Sequence, residues 1–134
     1  MFCSGKIYYE LLEKQQKDQI KDVAIVRLEQ LYPLPVEQME AVYKKYKNAK
    51  EAVWVQEEPE NMGAWPYLLR KLRKTIFGDI ELISRKESSS TATGFAKQHA
   101  DQQAYILAKA FEMAVTAQEK KIANKSVSKV FNVD

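Results

Sequence analysis

Short apolar runs alternate along this chain with longer amphipathic stretches. The runs at residues 23–28 and 52–56 are rich in β-branched residues, which is typical of strands buried on both faces. Residues 80–84 form a similar run after Gly78, and Met1–Cys3 has the composition of a strand end. Apolar residues at three- and four-residue steps predict helices over residues 5–17, 35–48, 65–77 and 97–118.

This order of elements predicts the fold class. Strands that alternate with helices favour an α/β fold, in which a largely parallel sheet lies between two helical layers as a three-layer α/β/α structure. We predict one such domain over residues 1–118 and a polar, basic tail over residues 119–134 whose structure the pattern does not classify. Because Met1–Cys3 resembles the end of a strand without its beginning, and has no signal-peptide pattern, we expect the chain to be a fragment with a truncated N-terminal strand.

The composition limits the kinds of partner that the chain is expected to bind. The chain has 134 residues, 46% hydrophobic and 29% charged, as expected for one globular domain. No apolar run approaches the roughly 20 residues that span a bilayer, so we predict no membrane partner. The net charge of +3 is too small and too scattered to indicate nucleic-acid binding. The single Cys3 excludes an intramolecular disulfide and, with His99 alone, a Cys/His zinc site, which favours a reducing, cytosolic compartment.

The segment V-W-V-Q-E-E-P-E-N-M-G-A-W at Val53–Trp65 predicts a strand, a shaped loop and a helix start. Ligands of open α/β sheets gather at the carboxyl ends of the strands, so we expect any site at this edge. Neighbouring carboxylates, Glu57 and Glu58 among them, suggest a metal or an acid/base site. Adjacent residues of an extended chain point to opposite faces, however. We therefore predict no metal site and favour a structural or interface role.

Gly63 and Trp65 allow two interpretations that stay open. Gly63 permits a backbone bend that other residues resist, and Trp65 places a large apolar ring directly after it. The ring either packs the following helix onto the sheet or forms part of a subunit interface, where Trp is enriched. The predicted structural or interface residues are Glu57, Glu58, Asn61, Gly63 and Trp65.

Polar side chains predicted at the carboxyl edge supply donors for a phosphate or a carboxylate. Arg85 and Lys86 end the last strand, Lys6 follows the first and Gln56 ends the third. The alternative is that these are ordinary edge charges. His99 lacks a nucleophile in any recognisable motif, so packing at the helix start or contact with an anion is favoured over catalysis. The candidate effector or anion-binding residues are therefore Lys6, Gln56, Arg85, Lys86 and His99.

Complete catalytic motifs are missing from the sequence. It contains no G-x-x-x-x-G-K-[ST], G-x-G-x-x-G, G-x-S-x-G, H-E-x-x-H or C-x-x-C. The residues by themselves thus predict an α/β binding or assembly module with no catalytic residues of its own.

Four segments resemble one known family: C-S-G-K-I-Y-Y-E-L-L at Cys3–Leu12, V-A-I-V-R-L-E-Q-L-Y-P-L-P at Val23–Pro35, the Val53–Trp65 segment, and T-A-T-G followed by a histidine at Thr91–His99. The chain is similar, up to about residue 115, to the C-terminal domain of 2-oxoglutarate dehydrogenase E1 components. E-E-P-x-N-x-G-A-W is the most specific part. This resemblance implies a fold like the transketolase C-terminal domain, whose sheet begins one strand earlier.

The resemblance also implies a parent oxidoreductase of the citric acid cycle. That enzyme uses thiamine diphosphate and Mg²⁺ to decarboxylate 2-oxoglutarate and passes the succinyl group to the lipoyl arm of E2. Its G-D-G…N-N element lies in earlier domains and is absent here, so we expect the fragment alone to be inactive and to hold no cofactor. The implied partners are the N-terminal and central E1 domains, a second E1 chain in a homodimer, and the E2 succinyltransferase. The implied location is the bacterial cytoplasm, which we prefer, or the mitochondrial matrix.

Some members of this family bind an activating adenine nucleotide or acetyl-CoA near this domain, which makes the basic edge residues candidates for an effector site. The chain departs from its relatives at Ser84–Ser90, where S-R-K-E-S-S-S replaces a G-R followed by proline and small residues. Glu87 adds a negative charge there and weakens that hypothesis. The alternative function is a free-standing nucleotide- or anion-binding α/β module without catalysis.

Overall fold

A computed structural model of the protein describes residues 1–112, within which strands and helices alternate as the sequence predicts. The elements are β1 (Phe2–Cys3), α1 (Ile7–Lys17), β2 (Val26–Arg27), α2 (Val36–Lys45), β3 (Val53–Pro59), α3 (Trp65–Leu72), β4 (Glu81–Arg85) and α4, residues 96–112 of the described range. The predicted α/β fold is confirmed. The end of the last predicted helix, the boundary at residue 118 and the tail at 119–134 lie outside the described residues.

The four strands form one parallel sheet in the order β2-β1-β3-β4. Phe2 of β1 is in register with Val26 on one side and with Trp54 on the other. The chain thus leaves β1 towards one edge of the sheet and returns from β2 to the opposite side of β1. The carboxyl ends of β1 and β3 therefore flank a topological switch point, where α/β sheets commonly place a site.

Side chains of β3 alternate between two apolar cores, one on each face of the sheet. Val53 and Val55 join the core formed with α1 and α4, whereas Trp54 joins the core formed with α2 and α3. Trp54 and Val55 are both fully buried. Full burial of one large apolar side chain stabilises the fold by about 1.5–3 kcal/mol. The two cores make the sheet the middle layer of an α/β/α structure.

Two element boundaries differ from the sequence prediction. β3 continues to Pro59, past an irregularity in its pairing with β4, so the first two loop carboxylates belong to the strand. α3 ends at Leu72 and does not reach residue 77. There the Thr75 hydroxyl donates to the Leu72 carbonyl at 2.8 Å and accepts from the Phe77 amide at 3.1 Å, and such side-chain bonds compete with the helical ones.

Two further strands have boundaries that differ from the prediction. β2 covers only Val26–Arg27, because its partner β1 offers only two residues for pairing. β4 covers Glu81–Arg85, one residue later than predicted. Among the described helices, none is long and apolar enough to cross a membrane.

Candidate functional site

The side chain of Gln56 ties together the strand, loop and helix of the β3–α3 connection. Gln56 is 3% exposed, and its Oε1 accepts hydrogen bonds from Trp54 Nε1 at 3.0 Å and from the Trp65 amide at 3.1 Å. Its Nε2 donates to three loop carbonyls, those of Glu58 at 3.3 Å, Pro59 at 3.0 Å and Met62 at 2.9 Å. A primary amide has two donor hydrogens and two acceptor lone pairs, so this amide is fully used inside the protein.

Gly63 closes this connection with a left-handed backbone, φ +68°. A Cβ added at Gly63 would lie 3.0 Å from Cβ of Glu58 and 3.2 Å from both amide atoms of Gln56. Only glycine suits this combination of conformation and space. Trp65, which follows, packs partly buried against the core on the α2/α3 face. We call Gln56 and the groups bound to it, with Gly63, the loop knot.

Asn61 links the loop knot to the segment after β4. Its Nδ2 donates to the Ser88 carbonyl at 3.0 Å, and its Oδ1 accepts from the Ser88 amide at 3.1 Å. This two-bond clasp fixes the segment that follows Arg85. The Asn61 amide is thus oriented towards the protein's own backbone.

A separate charged network crosses the switch point between β1 and β3. Lys6 Nζ contacts Glu10 on α1, and it lies 3.1 Å from Glu57 Oε1 on β3. Gln103 of α4 bridges the same two carboxylates, with Nε2 2.9 Å from Glu10 Oε2 and 2.9 Å from Glu57 Oε1. The hydrogen bond to Glu10 is the main reason that the pKa of Lys6 is raised. Partial burial opposes ionisation of Glu10, but bonds from Lys6 and Gln103 outweigh it and hold the Glu10 pKa below its ordinary value.

Arg85 joins this network from the end of β4. It is 7% exposed, and its terminal nitrogen donates to Gln103 Oε1 at 3.2 Å and to His99 Nδ1 at 3.1 Å. Because a guanidinium only donates, Nδ1 of His99 is the acceptor. The Arg85 Nε is buried without a partner, and no acidic side chain within residues 1–112 forms an ion pair with Arg85. We call Lys6, Glu10, Glu57, Gln103, Arg85 and His99 the edge network.

The predicted site residues fall into distinct places. Four of them lie in the edge network: Lys6, Glu57, Arg85 and His99. Gln56, Gly63 and Trp65 form part of the loop knot, while Lys86 and Glu58 are exposed. No three His, Cys, Asp or Glu side chains converge as metal ligands in the part of the chain that the structure describes. The effector site composed of the five basic and polar residues stays a prediction.

Comparison with known sequences shows which family the chain belongs to. The family model described as 2-oxoglutarate dehydrogenase C-terminal matches residues 1–111. The chain belongs to this family. It is 42% identical over 118 residues to the 2-oxoglutarate dehydrogenase E1 component of Azotobacter vinelandii, a match that covers 83% of this chain and 12% of the relative.

Two further relatives agree with this assignment. A multifunctional 2-oxoglutarate metabolism enzyme of Mycobacterium sp. (strain KMS) is 46% identical over 114 residues, covering 83% of this chain and 9% of the relative. The oxoglutarate dehydrogenase of Buchnera aphidicola subsp. Baizongia pistaciae is 40% identical over 109 residues, covering 80% of this chain and 12% of the relative. This 2-oxoglutarate dehydrogenase C-terminal domain therefore spans about a tenth of the length of these relatives.

Two members of the edge network in this 2-oxoglutarate dehydrogenase C-terminal domain were not predicted from its sequence. Glu10 lies four residues after Lys6, and Gln103 lies four residues after His99. Side chains at this spacing share one face of a helix. Both residues could have been predicted from this spacing, because each shares a helix face with a residue already named as a site candidate.

Proposed function

We propose that this chain acts as the C-terminal assembly domain of a 2-oxoglutarate dehydrogenase E1 component. In this role it packs against the N-terminal and central E1 domains and supports the E1 homodimer, while the chemistry occurs elsewhere in the enzyme. The observation that carries the proposal is the family match over residues 1–111 in a chain that corresponds to 12% of the Azotobacter relative.

The geometry of the Val53–Trp65 segment supports a structural role for it. Of its polar side chains, Gln56 has both amide atoms bound within the protein, and Asn61 binds the Ser88 backbone. The Glu57 carboxylate is held by Lys6 and Gln103. Side chains committed in this way fix the shape of the sheet's carboxyl edge.

The described residues and the sequence offer no recognisable element for thiamine diphosphate and Mg²⁺, the cofactors that the E1 family uses. No group of three potential metal ligands converges within residues 1–112, and the sequence holds no G-D-G element. We place the cofactors, the decarboxylation of 2-oxoglutarate and the succinyl transfer to E2 in the remainder of an E1 chain. The proposed location is accordingly that of E1, the bacterial cytoplasm or, in a eukaryote, the mitochondrial matrix.

Trp65→Ala in a complete E1 chain that ends in this sequence tests the assembly role. Trp65 packs partly buried beside the α2/α3 core, so we expect a loss of about 2 kcal/mol, less than the roughly 3–5 kcal/mol for a fully buried Trp. Thermal unfolding and sedimentation should show a less stable enzyme with a smaller dimer fraction. Turnover of 2-oxoglutarate per remaining dimer should be unchanged.

Two controls complete this experiment. Tyr46→Ala, which removes an aromatic ring that is 49% exposed, should leave both stability and dimer fraction near those of the unmodified enzyme. The isolated 134-residue chain, given thiamine diphosphate and Mg²⁺, should not decarboxylate 2-oxoglutarate. Turnover by the isolated chain, or a Trp65→Ala enzyme that keeps its dimer but loses turnover per dimer, would overturn the proposal.

A further inference from the structure

A cavity lies beside the carboxyl end of β4, outside the edge network's ion pairs. Its volume is about 190 Å³, and its lining includes Arg85, Lys86, Ser88, Thr91 and Gln102. Two of these residues carry buried polar atoms without partners, Nε of Arg85 and Oε1 of Gln102. Such atoms are uncommon in native proteins, and each calls for a partner that the protein itself does not supply.

Arg85 is the main unsatisfied group. It is 7% exposed, and the acceptors that its guanidinium reaches, Gln103 Oε1 and His99 Nδ1, are both uncharged. A buried cation without a counter-charge is costly, whereas an oxyanion bound to it forms strong, charge-assisted hydrogen bonds. The guanidinium thus favours an anion in the cavity.

The lining of the cavity also includes hydroxyl groups. Ser88 Oγ accepts from the Ser90 amide at 3.1 Å, so its own proton is available to a ligand. The Thr91 hydroxyl makes no hydrogen bond to any described residue. The Asn61 clasp holds the backbone of Ser88 in place. Two cationic side chains and two hydroxyl groups therefore line the same cavity, a combination that suits a tetrahedral oxyanion.

We propose that this cavity binds a single phosphate group, either inorganic phosphate or the phosphate end of a phosphomonoester. Arg85 and Lys86 supply the counter-charge, and the hydroxyls of Ser88 and Thr91 donate to the remaining oxygens. Gln102 Oε1 accepts from the O–H of a monoprotonated phosphate. The site goes beyond the assembly role and does not depend on it.

The size of the cavity limits what enters. At about 30 Å³ for each water molecule, 190 Å³ corresponds to roughly six waters. Pockets that enclose whole small-molecule ligands are larger, at about 300–1,000 Å³. A phosphate group fits inside, and the rest of a phosphomonoester would remain outside the cavity.

Glu87 makes the proposal sharply testable, because it is a carboxylate that lines the same cavity. Its charge opposes an incoming anion. Glu87→Gln should therefore strengthen phosphate binding, whereas Lys86→Gln should weaken it. Both side chains belong to exposed residues, so neither substitution threatens the fold.

The experiment is a titration of the 134-residue chain with inorganic phosphate at constant ionic strength, followed by calorimetry and by amide chemical shifts of residues 85–102. We expect saturable binding that Arg85→Gln weakens about tenfold or more, the effect of losing one charge-assisted bond. Lys86→Gln should weaken it about two- to fivefold, and Glu87→Gln should strengthen it by a similar factor. Arg70→Gln, at an exposed arginine outside the cavity lining, is the matched control and should bind like the unmodified chain.

Three results would overturn the proposal: a flat titration, an Arg70→Gln loss as large as that of Arg85→Gln, or weaker binding by Glu87→Gln. Acetate in place of phosphate distinguishes the oxyanions. We expect acetate to bind at least about tenfold more weakly, since it cannot use the hydroxyl donors together with both cations. Equal binding of acetate would assign the cavity to a carboxylate instead. The proposed E1 assembly role is tested separately by Trp65→Ala, so the phosphate site and the assembly role can be rejected independently.

Discussion

The loop knot and the edge network lie at the same edge of the sheet, and each is organised around a buried glutamine. Gln56 is 3% exposed and Gln103 is 9% exposed. Gln56 binds only uncharged groups, and its amide has no bonding capacity left. Gln103 instead connects two carboxylates with a guanidinium that has an unpartnered Nε. One region is complete within the protein, and the other is not.

This difference separates architecture from binding capacity. A neutral buried side chain with all its hydrogen bonds made stabilises one backbone shape, and loss of any partner leaves a desolvated polar group. A buried charge with neutral partners contributes little to stability, and it retains affinity for an opposite charge. Burial alone therefore does not show which polar side chains serve the fold.

The largest expected effect compares Gln56→Met with Arg85→Met. Met has a length similar to that of Gln and to the aliphatic part of Arg, but makes no strong hydrogen bonds. Gln56→Met leaves the indole N–H of fully buried Trp54 and several loop carbonyls without hydrogen-bond partners. Because each unsatisfied group costs roughly 1–3 kcal/mol, we expect the free energy of unfolding to fall by about 3 kcal/mol. Arg85→Met removes a buried charge without a counter-ion but leaves Gln103 Oε1 without its hydrogen bond, and because the two effects oppose each other we expect a change within about 1 kcal/mol. Urea unfolding in phosphate-free buffer measures both values.

Gln38→Ala, at an exposed glutamine of α2, is the control for loss of an amide from the surface and should change stability by less than about 0.5 kcal/mol. A loss for Arg85→Met as large as that for Gln56→Met would show that the two regions do not differ in kind.

Three glycines test how much of the loop knot depends on close contact and how much on backbone conformation alone. Gly63 and Gly5 both have positive φ, +68° and +71°, but only Gly63 has atoms within 4 Å of an added Cβ. We expect Gly5→Ala to cost about 1–2 kcal/mol, the ordinary cost of a left-handed alanine. Gly63→Ala should cost at least about 1 kcal/mol more, because Gln56 or Glu58 must move. Chemical denaturation gives the two values.

Gly94→Ala completes this series. Gly94 has no atoms within 4 Å of an added Cβ and no positive φ. The free energy of unfolding of the Gly94→Ala protein should therefore stay constant or rise by up to about 1 kcal/mol. Equal losses for Gly63→Ala and Gly5→Ala would mean that the contact with Gln56 contributes nothing.

The fold was largely predictable from the sequence because burial on both faces leaves a distinct pattern in parallel strands. The continuous apolar run at 52–56 predicted β3, and the three- and four-residue periodicity predicted the helices. Periodicity could not show where α3 ends, since the stop at Leu72 depends on the Thr75 hydroxyl. Nor could it show that β3 runs to Pro59, which requires a partner in β4.

The site was predictable only in part. The rule that places sites at the carboxyl ends of strands selected Lys6 and Arg85, and His99 was predicted to pack at a helix start or to contact an anion. The structure joins these three residues with Glu57 through Gln103 and Arg85. The same rule placed Gln56 among the anion donors, yet its amide is saturated by the loop that follows it. The direction of a side chain at a strand end depends on the path of the next loop. The sequence indicated the bend at Gly63, but it did not show that the loop carbonyls and the Trp54 indole would bind the Gln56 amide.

The smallest expected effect concerns Glu10→Gln and pH. The folded state lowers the Glu10 pKa, so its ionised form stabilises the fold above the unfolded value of about 4.3, and this contribution is lost as pH falls through the folded pKa. The Lys6 side chain is 65% exposed, and solvent screening keeps the expected loss for Glu10→Gln near pH 7 to about 0.5 kcal/mol or less. Urea unfolding from pH 7 to pH 3 should show this difference shrinking towards zero below about pH 4. Glu40→Gln, which removes the i,i+4 partner of Lys44 on α2, controls for loss of a surface carboxylate outside the edge network. If the stability difference between the unmodified chain and Glu10→Gln instead grew as the pH fell, Glu10 would not stabilise the edge network through its charge.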